Sequence, residues 1–261
     1  MRTKGAFLAL AVAGLMAGGC IQAQRTIKVN ADGSGTVVDT VKLIGMAAAM
    51  KDMGDSSAQA KVNKEAAMKK KATAQGLTFV SSETSEDGAE KVTYSFKDIT
   101  KASISGTPAF PNEKSDDKEK SSKDEPLTFK LARSGDKSTL TVVVPKEKPA
   151  EKKDGEAAKK EKKSSPEEEK QAMAMMKGMM AGLKIATVVE VGGKIVKTTA
   201  PHPAEGSALT LMEIDFDKLG EDGFKKLSEM EDQAGPPTPE QLKGLKGVKF
   251  TEGEVVIEFT K

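Results

Sequence analysis

The sequence predicts an α+β fold: a mainly antiparallel sheet of about six to nine strands with two or three helices on one face. Three observations carry this expectation. Apolar and polar residues alternate at period two in one segment after another, glycine-centred turns separate those segments at hairpin spacing, and few stretches have helical composition. Helices laid over one face of such a sheet would give a two-layer core.

Thr26 to Asn30 and Gly35 to Leu43 read as strands on either side of Ala31-Asp32-Gly33-Ser34, where Asp-Gly supplies the positive φ angles of a two-residue hairpin. Ala58 to Gln75 has helical composition, and Gly76 is placed as its stop. Leu77 and Phe79, then Val92, Tyr94 and Phe96, flank Glu86-Asp87-Gly88 as a second hairpin. Leu127, Phe129 and Leu131, then Leu140, Val142 and Val144, flank Ser134-Gly135-Asp136 as a third. Ile185 to Val191, Gly192-Gly193 and Ile195 to Thr199 suggest a fourth. Ala208 to Phe216 alternates as a further strand, and Val255, Ile257 and Phe259 form the last. Glu167 to Ala181 is a second helix, with three acids at the positive end of its dipole; Gly223 to Glu231 is a third, ended by Pro236-Pro237-Thr238-Pro239.

Charge is uneven along the chain. Residues 113–125 carry 10 charges in 13 positions, and residues 146–170 carry 17 in 25. Neither tract holds enough apolar surface to offset the entropy of ordering it, so both are expected to be solvated, disordered insertions. The longer tract mixes nine Lys with eight acids, unlike a polybasic membrane patch. The organisation expected is therefore a signal peptide at 1–19, a first part of the α+β domain at 20–145, a charged linker or insertion at 146–170, and a second part at 171–261.

The start of the chain speaks most directly to function. Arg2 and Lys4 precede an uncharged apolar stretch from Ala6 to Ala17, followed by Gly18-Gly19-Cys20. About a dozen apolar residues are too few to cross a hydrocarbon core of roughly 30 Å, so the segment reads as an export signal. Small residues before a cysteine resemble the bacterial lipobox, with Ala17 where Leu is usual. The resemblance implies cleavage before Cys20 and a diacylglycerol on its thiol. Cys20 is the sole cysteine of the 261 residues, which also excludes an intramolecular disulfide. The expected partner is thus a membrane, through acyl chains (palmitate among them) on Cys20. The expected location is the cell envelope, on the outer membrane if the cell has one. Loss of Arg2 and Lys4 leaves 39 basic and 39 acidic side chains, so the mature chain is formally neutral and nucleic acid is not an expected partner.

Candidate sites within the domain are sparse. Met173, Met176, Met179 and Met180 recur in the second helix as a deformable apolar stripe, suited to core packing or to an amphiphile groove. Met46, Met50 and Met53 form a second stripe. Copper is disfavoured because no His or Cys lies nearby in sequence, and the lone His202 cannot supply a common zinc set. The Asn30 to Gly35 segment fails the register of a calcium loop, because the first ligand position falls on Lys28. Asp215 and Asp217 could share a strand face as paired carboxylates, but a strand end and a helix cap explain them more simply. No nucleophile elbow, phosphate loop or two-His zinc helix occurs, so the expectation is a non-enzymatic protein without a cofactor.

Cys20 followed by a strand, Asp32-Gly33-Ser34-Gly35 and another strand also resembles uncharacterised envelope lipoproteins of the mycobacterial LppM type. Gly76-Leu77 through Tyr94-Ser95-Phe96-Lys97-Asp98-Ile99, and Leu183 through Gly193-Lys194-Ile195-Val196 to Ile214-Asp215, follow the same pattern. The resemblance implies a surface-exposed α+β domain, with envelope glycolipid binding proposed for the mycobacterial member. The chain departs from the pattern in its Lys/Glu insertion at 146–170 and in lacking an apolar helix after Phe259. The expected function is binding of a lipid or another envelope component. The alternatives are a scaffold with a protein partner and, third, an envelope hydrolase.

Overall fold

The computed structural model describes residues 19–45, 58–108, 125–145, 171, 174, 177–178, 180–231 and 242–260. The charged tract at 146–170, that at 113–125 apart from Glu125, and the leader up to residue 18 lie outside them. So do Met46, Met50, Met53, Met173, Met176 and Met179.

Eleven strands and two helices occur among the described residues. The strands are β1 (Gly19–Val29), β2 (Gly35–Gly45), β3 (Thr78–Thr84), β4 (Glu90–Phe96), β5 (Thr128–Ser134), β6 (Lys137–Val144), β7 (Lys184–Val191), β8 (Ile195–Thr198), β9 (Ala208–Asp215), β10 (Val248–Phe250) and β11 (Gly253–Thr260). The helices are α1 (Ala58–Ala74) and α2 (Gly220–Glu231). The α+β class fits, although helices are few. Of the second expected helix, Gln171, Ala174, Lys177, Gly178 and Met180 are described and are helical.

The strands form two sheets where one was expected. A seven-stranded sheet has the order β10-β9-β7-β1-β2-β4-β3, and a four-stranded sheet the order β5-β6-β11-β8. Ile27, Val29, Val37, Val189 and Leu209 of the larger sheet share one buried cluster with Leu140, Val142, Ile257 and Phe259 of the smaller. The second layer is therefore mainly a sheet, and the physical reason lies in α1. Among its side chains described, at 62–74, Val62, Ala66, Lys69 and Lys70 are exposed and only Ala72 is buried, so these residues present no apolar stripe with which to cover a sheet. By contrast β6 and β11 each present a buried alternate face, which can only be satisfied against another apolar layer.

The turn chemistry explains the local pairings. The β1–β2 hairpin closes through residues 30–34, longer than the two residues expected: Gly33 N–H donates to the Asn30 carbonyl at 2.9 Å, and Gly33 takes φ +83°. At the end of α1, Gly76 adopts φ +73° and the Ala72 carbonyl accepts from both the Gln75 N–H at 3.0 Å and the Leu77 N–H at 2.9 Å, which closes the helix end.

The fourth expected hairpin does not form. β7 pairs with β1 on one side and β9 on the other, so it offers no edge to β8, which instead joins the edge of β11 in the other sheet. The chain changes sheets at Gly192-Gly193, where the Gly192 N–H donates to the Val29 carbonyl at 2.8 Å. β1 and β7 are parallel, with Gln22 opposite Lys184 and Val29 opposite Val191. Each sheet thus combines strands from before and after the charged insertion at 146–170.

Candidate functional site

Cys20 and Met180, the one methionine of the expected stripe among the described residues, stand at the same end of the larger sheet. β1 is the fourth of its seven strands, and its ladder to β2 begins with Gly19 opposite Gly45 and Cys20 opposite Ile44. No free chain separates Cys20 from the domain. The strand was expected from Thr26; its earlier start follows from Ala23 and Arg25, which continue the inward alternation of Ile27 and Val29 and are buried with them. Because β7 runs parallel to β1 and Lys184 lies opposite Gln22, the turn at Ala181-Gly182 that enters β7 stands at the same end as Cys20.

Met180 packs beside that turn against a second apolar cluster. Leu219, Phe224, Leu227 and Leu242 are its buried members, and Ile214, Phe216, Leu245, Val248 and Phe250 lie against it. α2 supplies Phe224 and Leu227 one turn apart, the spacing that puts both on one helix face. Met180 is half-buried and fills this small core as packing.

On the outer face of the sheet, above Cys20, lies an open trough of about 400 Å³. Gln22, Gln24, Thr40, Lys42, Lys184 and Ala186 are among its lining residues. The register accounts for it: Gln24 pairs with Thr40 on one side and with Ala186 on the other, and the small Ala186 leaves the floor low. Lys42 Nζ meets Asp87 at 2.7 Å at one wall. Hydrogen bonds from Lys42 and Ser85 hold the Asp87 carboxyl well below the usual carboxylate range.

Beside the opposite wall is a group of charges that sequence reasoning missed. Glu213 and Asp215, both buried in β9, share Lys184, Lys218 and Lys249: Lys249 reaches Glu213 at 2.7 Å, Lys184 reaches Glu213 at 3.1 Å, and Lys218 reaches Asp215 at 2.7 Å. Burial pushes the Glu213 carboxyl up, but hydrogen bonds and attraction from Lys249 and Lys184 outweigh it and bring the group to about 2. Asp215 and Asp217 do not form a carboxylate pair aimed at one point. Asp217 instead accepts the Gly182 N–H at 2.8 Å, tying the 3-10 turn after β9 to the start of β7.

A second missed pair lies on the inner face. Arg25 and Asp39 are buried and doubly hydrogen-bonded, and Arg25 Nη1 also donates to the Ser105 carbonyl at 2.8 Å. The adjoining cavity holds only about 20 Å³, room for about one water molecule, so it is no ligand chamber.

His202 is half-buried in the β8–β9 connection, which returns beside Val191 and so stands at the opposite end of the sheet from Cys20. Asp32 is committed to its own turn, accepting from the Ser34 N–H at 2.9 Å and from Ser34 Oγ at 2.6 Å. Among the described residues, no group of three or more His, Cys, Asp or Glu side chains is placed to hold a metal ion, and no helix is long and apolar enough to cross a membrane.

No protein-family model matches the chain, and no curated protein matches it. Among solved structures, the NMR structure of the folded domain of the Mycobacterium tuberculosis LppM protein is similar over 93% of this chain and 91% of that one, with 8% identity and a TM-score of 0.28. A likeness of that degree supports no argument about fold or activity.

Proposed function

We propose that the chain is an exported envelope lipoprotein, non-enzymatic, anchored through acyl chains on Cys20 and binding an amphiphile or other envelope component through its domain. The observation that carries the reading is the position of Cys20. The only thiol of the chain follows an apolar export signal and opens the central strand of the larger sheet. Two or three acyl chains, at about 0.8 kcal/mol per buried CH₂, hold such a domain on a bilayer without a membrane-spanning helix. The methionine-edged apolar cluster around Phe224 stands at the same end, where an amphiphile leaving the bilayer would first meet the protein.

A scaffold role with a protein partner is the second reading, and one observation favours it. The trough is open and of mixed lining, the inner cavity holds about 20 Å³, and neither is an enclosed apolar chamber of acyl-chain size. The anchoring is tested by growing cells with labelled palmitate. The wild-type chain is expected to take up label and the Cys20→Ser chain to remain an unlabelled precursor; equal labelling of both would contradict the proposal. Native mass spectrometry of the mature chain separates the two binding readings. A lipid adduct supports amphiphile binding, and a folded but lipid-free protein across several lipid extracts supports the scaffold.

A further inference from the structure

We propose that the Cys20 end of the seven-stranded sheet is the surface that the domain turns to the bilayer, with Lys42 and Lys184 meeting the phosphates of anionic phospholipids. The inference rests on the acylation of Cys20 proposed above and adds an orientation and a headgroup contact to it.

The first argument is reach. A lipoprotein whose anchor is followed by a flexible linker can stand away from the membrane and rotate freely. Here Cys20 is itself paired with Ile44 in a ladder that continues without a break to Val29 opposite Gly35. An anchored Cys20 therefore places the rungs beside it against the headgroup layer. These rungs include Gln22, which is flanked by Lys42 on β2 and Lys184 on β7. Two strand spacings separate those lysine backbones, about 9–10 Å, so long side chains on either side of β1 can approach a single phosphodiester from two directions.

The second argument is charge. Around the trough the carboxylates sit inside and the ammonium groups outside. The Glu213 and Asp215 side chains are 11% and 10% exposed, whereas Lys184 and Lys249 are each 39% exposed and Lys218 is 57% exposed. With Lys42, Asp87 and Asp217 included, four ammonium groups face four carboxylates, so the charges balance in number and it is the outward placement of the ammonium groups that presents positive charge to a phosphate. The acidic first turn of α2, Glu221 and Asp222, belongs to the other side of β9, because it is Ile214 and not Glu213 that packs with the α2 cluster. A balanced group of charges cannot recruit the domain by itself, so the acyl chains supply the affinity and the outward lysines set the orientation. Gln22, Gln24 and Thr40 add neutral donors suited to phosphate oxygens.

The test uses the processed, full-length protein in three environments: vesicles of phosphatidylglycerol, vesicles of phosphatidylcholine and micelles of a neutral maltoside detergent. Lysines are acetylated briefly and mapped by peptide mass. Lys28 and Lys137 serve as internal references, since each is also paired with a glutamate, at 2.9 and 2.8 Å, but lies away from Cys20. In phosphatidylglycerol the expected result is at least a threefold slowing at Lys42 and Lys184 relative to micelles, with the references unchanged and a smaller effect in phosphatidylcholine. Unchanged labelling of Lys42 and Lys184, slowing equal to that of the references, or equal slowing in both lipids would overturn the proposal. The mass of the Cys20 peptide, read in the same experiment, separates the two levels. An acylated peptide with unprotected lysines defeats the orientation alone, and an unacylated one defeats the anchor and the orientation with it.

Discussion

Arg25 and Asp39 stand directly opposite each other in the β1–β2 ladder and meet through two hydrogen bonds, Nε to Oδ1 and Nη2 to Oδ2, each 2.7 Å long. Both are buried, so the pair fixes which residues of the hairpin face inward. A slip of β1 by one residue would leave Asp39 buried without Arg25 and turn Ile27 to the outer face.

Removing one partner is therefore predicted to cost more than replacing both. Arg25→Met or Asp39→Leu alone should destabilise the protein by about 3–5 kcal/mol, because each leaves a buried charge unpaired. The double substitution should recover most of that loss, since two apolar side chains of similar volume suit the same face. Urea unfolding midpoints of the four proteins check this, and a double variant no better than the worse single one would contradict it.

Acid should loosen the β7–β9–β10 edge of the larger sheet. The folded Glu213 carboxyl titrates at about 2, below its ordinary value of 4.5, so its contribution to stability is present above about 4.5 and is lost as pH falls toward 2. Glu213→Gln removes that linkage. Melting temperatures recorded from pH 6 down to pH 2.5 should fall less steeply for the variant than for the wild-type protein over that window, and parallel curves would count against the role assigned to Lys249 and Lys184.

Two glycines should fail for different reasons when changed to alanine. At Gly35 a Cβ would lie 1.9 Å from the Lys28 carbonyl oxygen and 2.6 Å from Phe96 Cζ, and the backbone oxygen cannot retreat without breaking the hairpin. Overpacking of that kind costs about 1–3 kcal/mol, and Gly35→Ala is placed at the upper end. Gly88 meets nothing within 4 Å but takes φ +80°, so Gly88→Ala should cost about 1–2 kcal/mol through the backbone alone. Chemical denaturation orders the two, and a larger loss for Gly88→Ala would reverse the account.

The two apolar clusters should open separately. Phe259 is fully buried between the sheets, and Phe224 anchors α2 in the smaller cluster. Truncating either to alanine removes about 3–5 kcal/mol of packing. Phe259→Ala should raise hydrogen exchange across both sheets, whereas Phe224→Ala should raise it in α2 and β10 and leave β6 and β11 protected.

Much of this architecture was legible because turn chemistry and period two are local. Asp87-Gly88 and Gly135-Asp136 mark real hairpins, and α1 ends at the glycine that the sequence offers as its stop. What escaped was long-range. Nothing in Ile185 to Val191 shows that it pairs in parallel with a strand some 160 positions earlier, and that pairing is what denies β8 its expected partner. The three residues of β10 are too few to display a period, although Lys249 within them completes the charge group on Glu213. The Arg25–Asp39 pair did leave a trace: opposite charges at inward positions, between Ala23 and Ile27 on one strand and between Val37 and Val41 on the next. Read as a matched pair across the hairpin, they would have extended β1 back toward Cys20.

The central claim is that Cys20 is both the membrane anchor and the first residue of the mature chain. Its most direct test is the mass of the N-terminal peptide released from protein purified out of its native membrane. The account predicts a peptide beginning at Cys20 and carrying a diacylglyceryl group on sulfur, with or without an amide-linked acyl chain. A peptide with a free Cys20 thiol, or a mature chain that begins elsewhere, would contradict it.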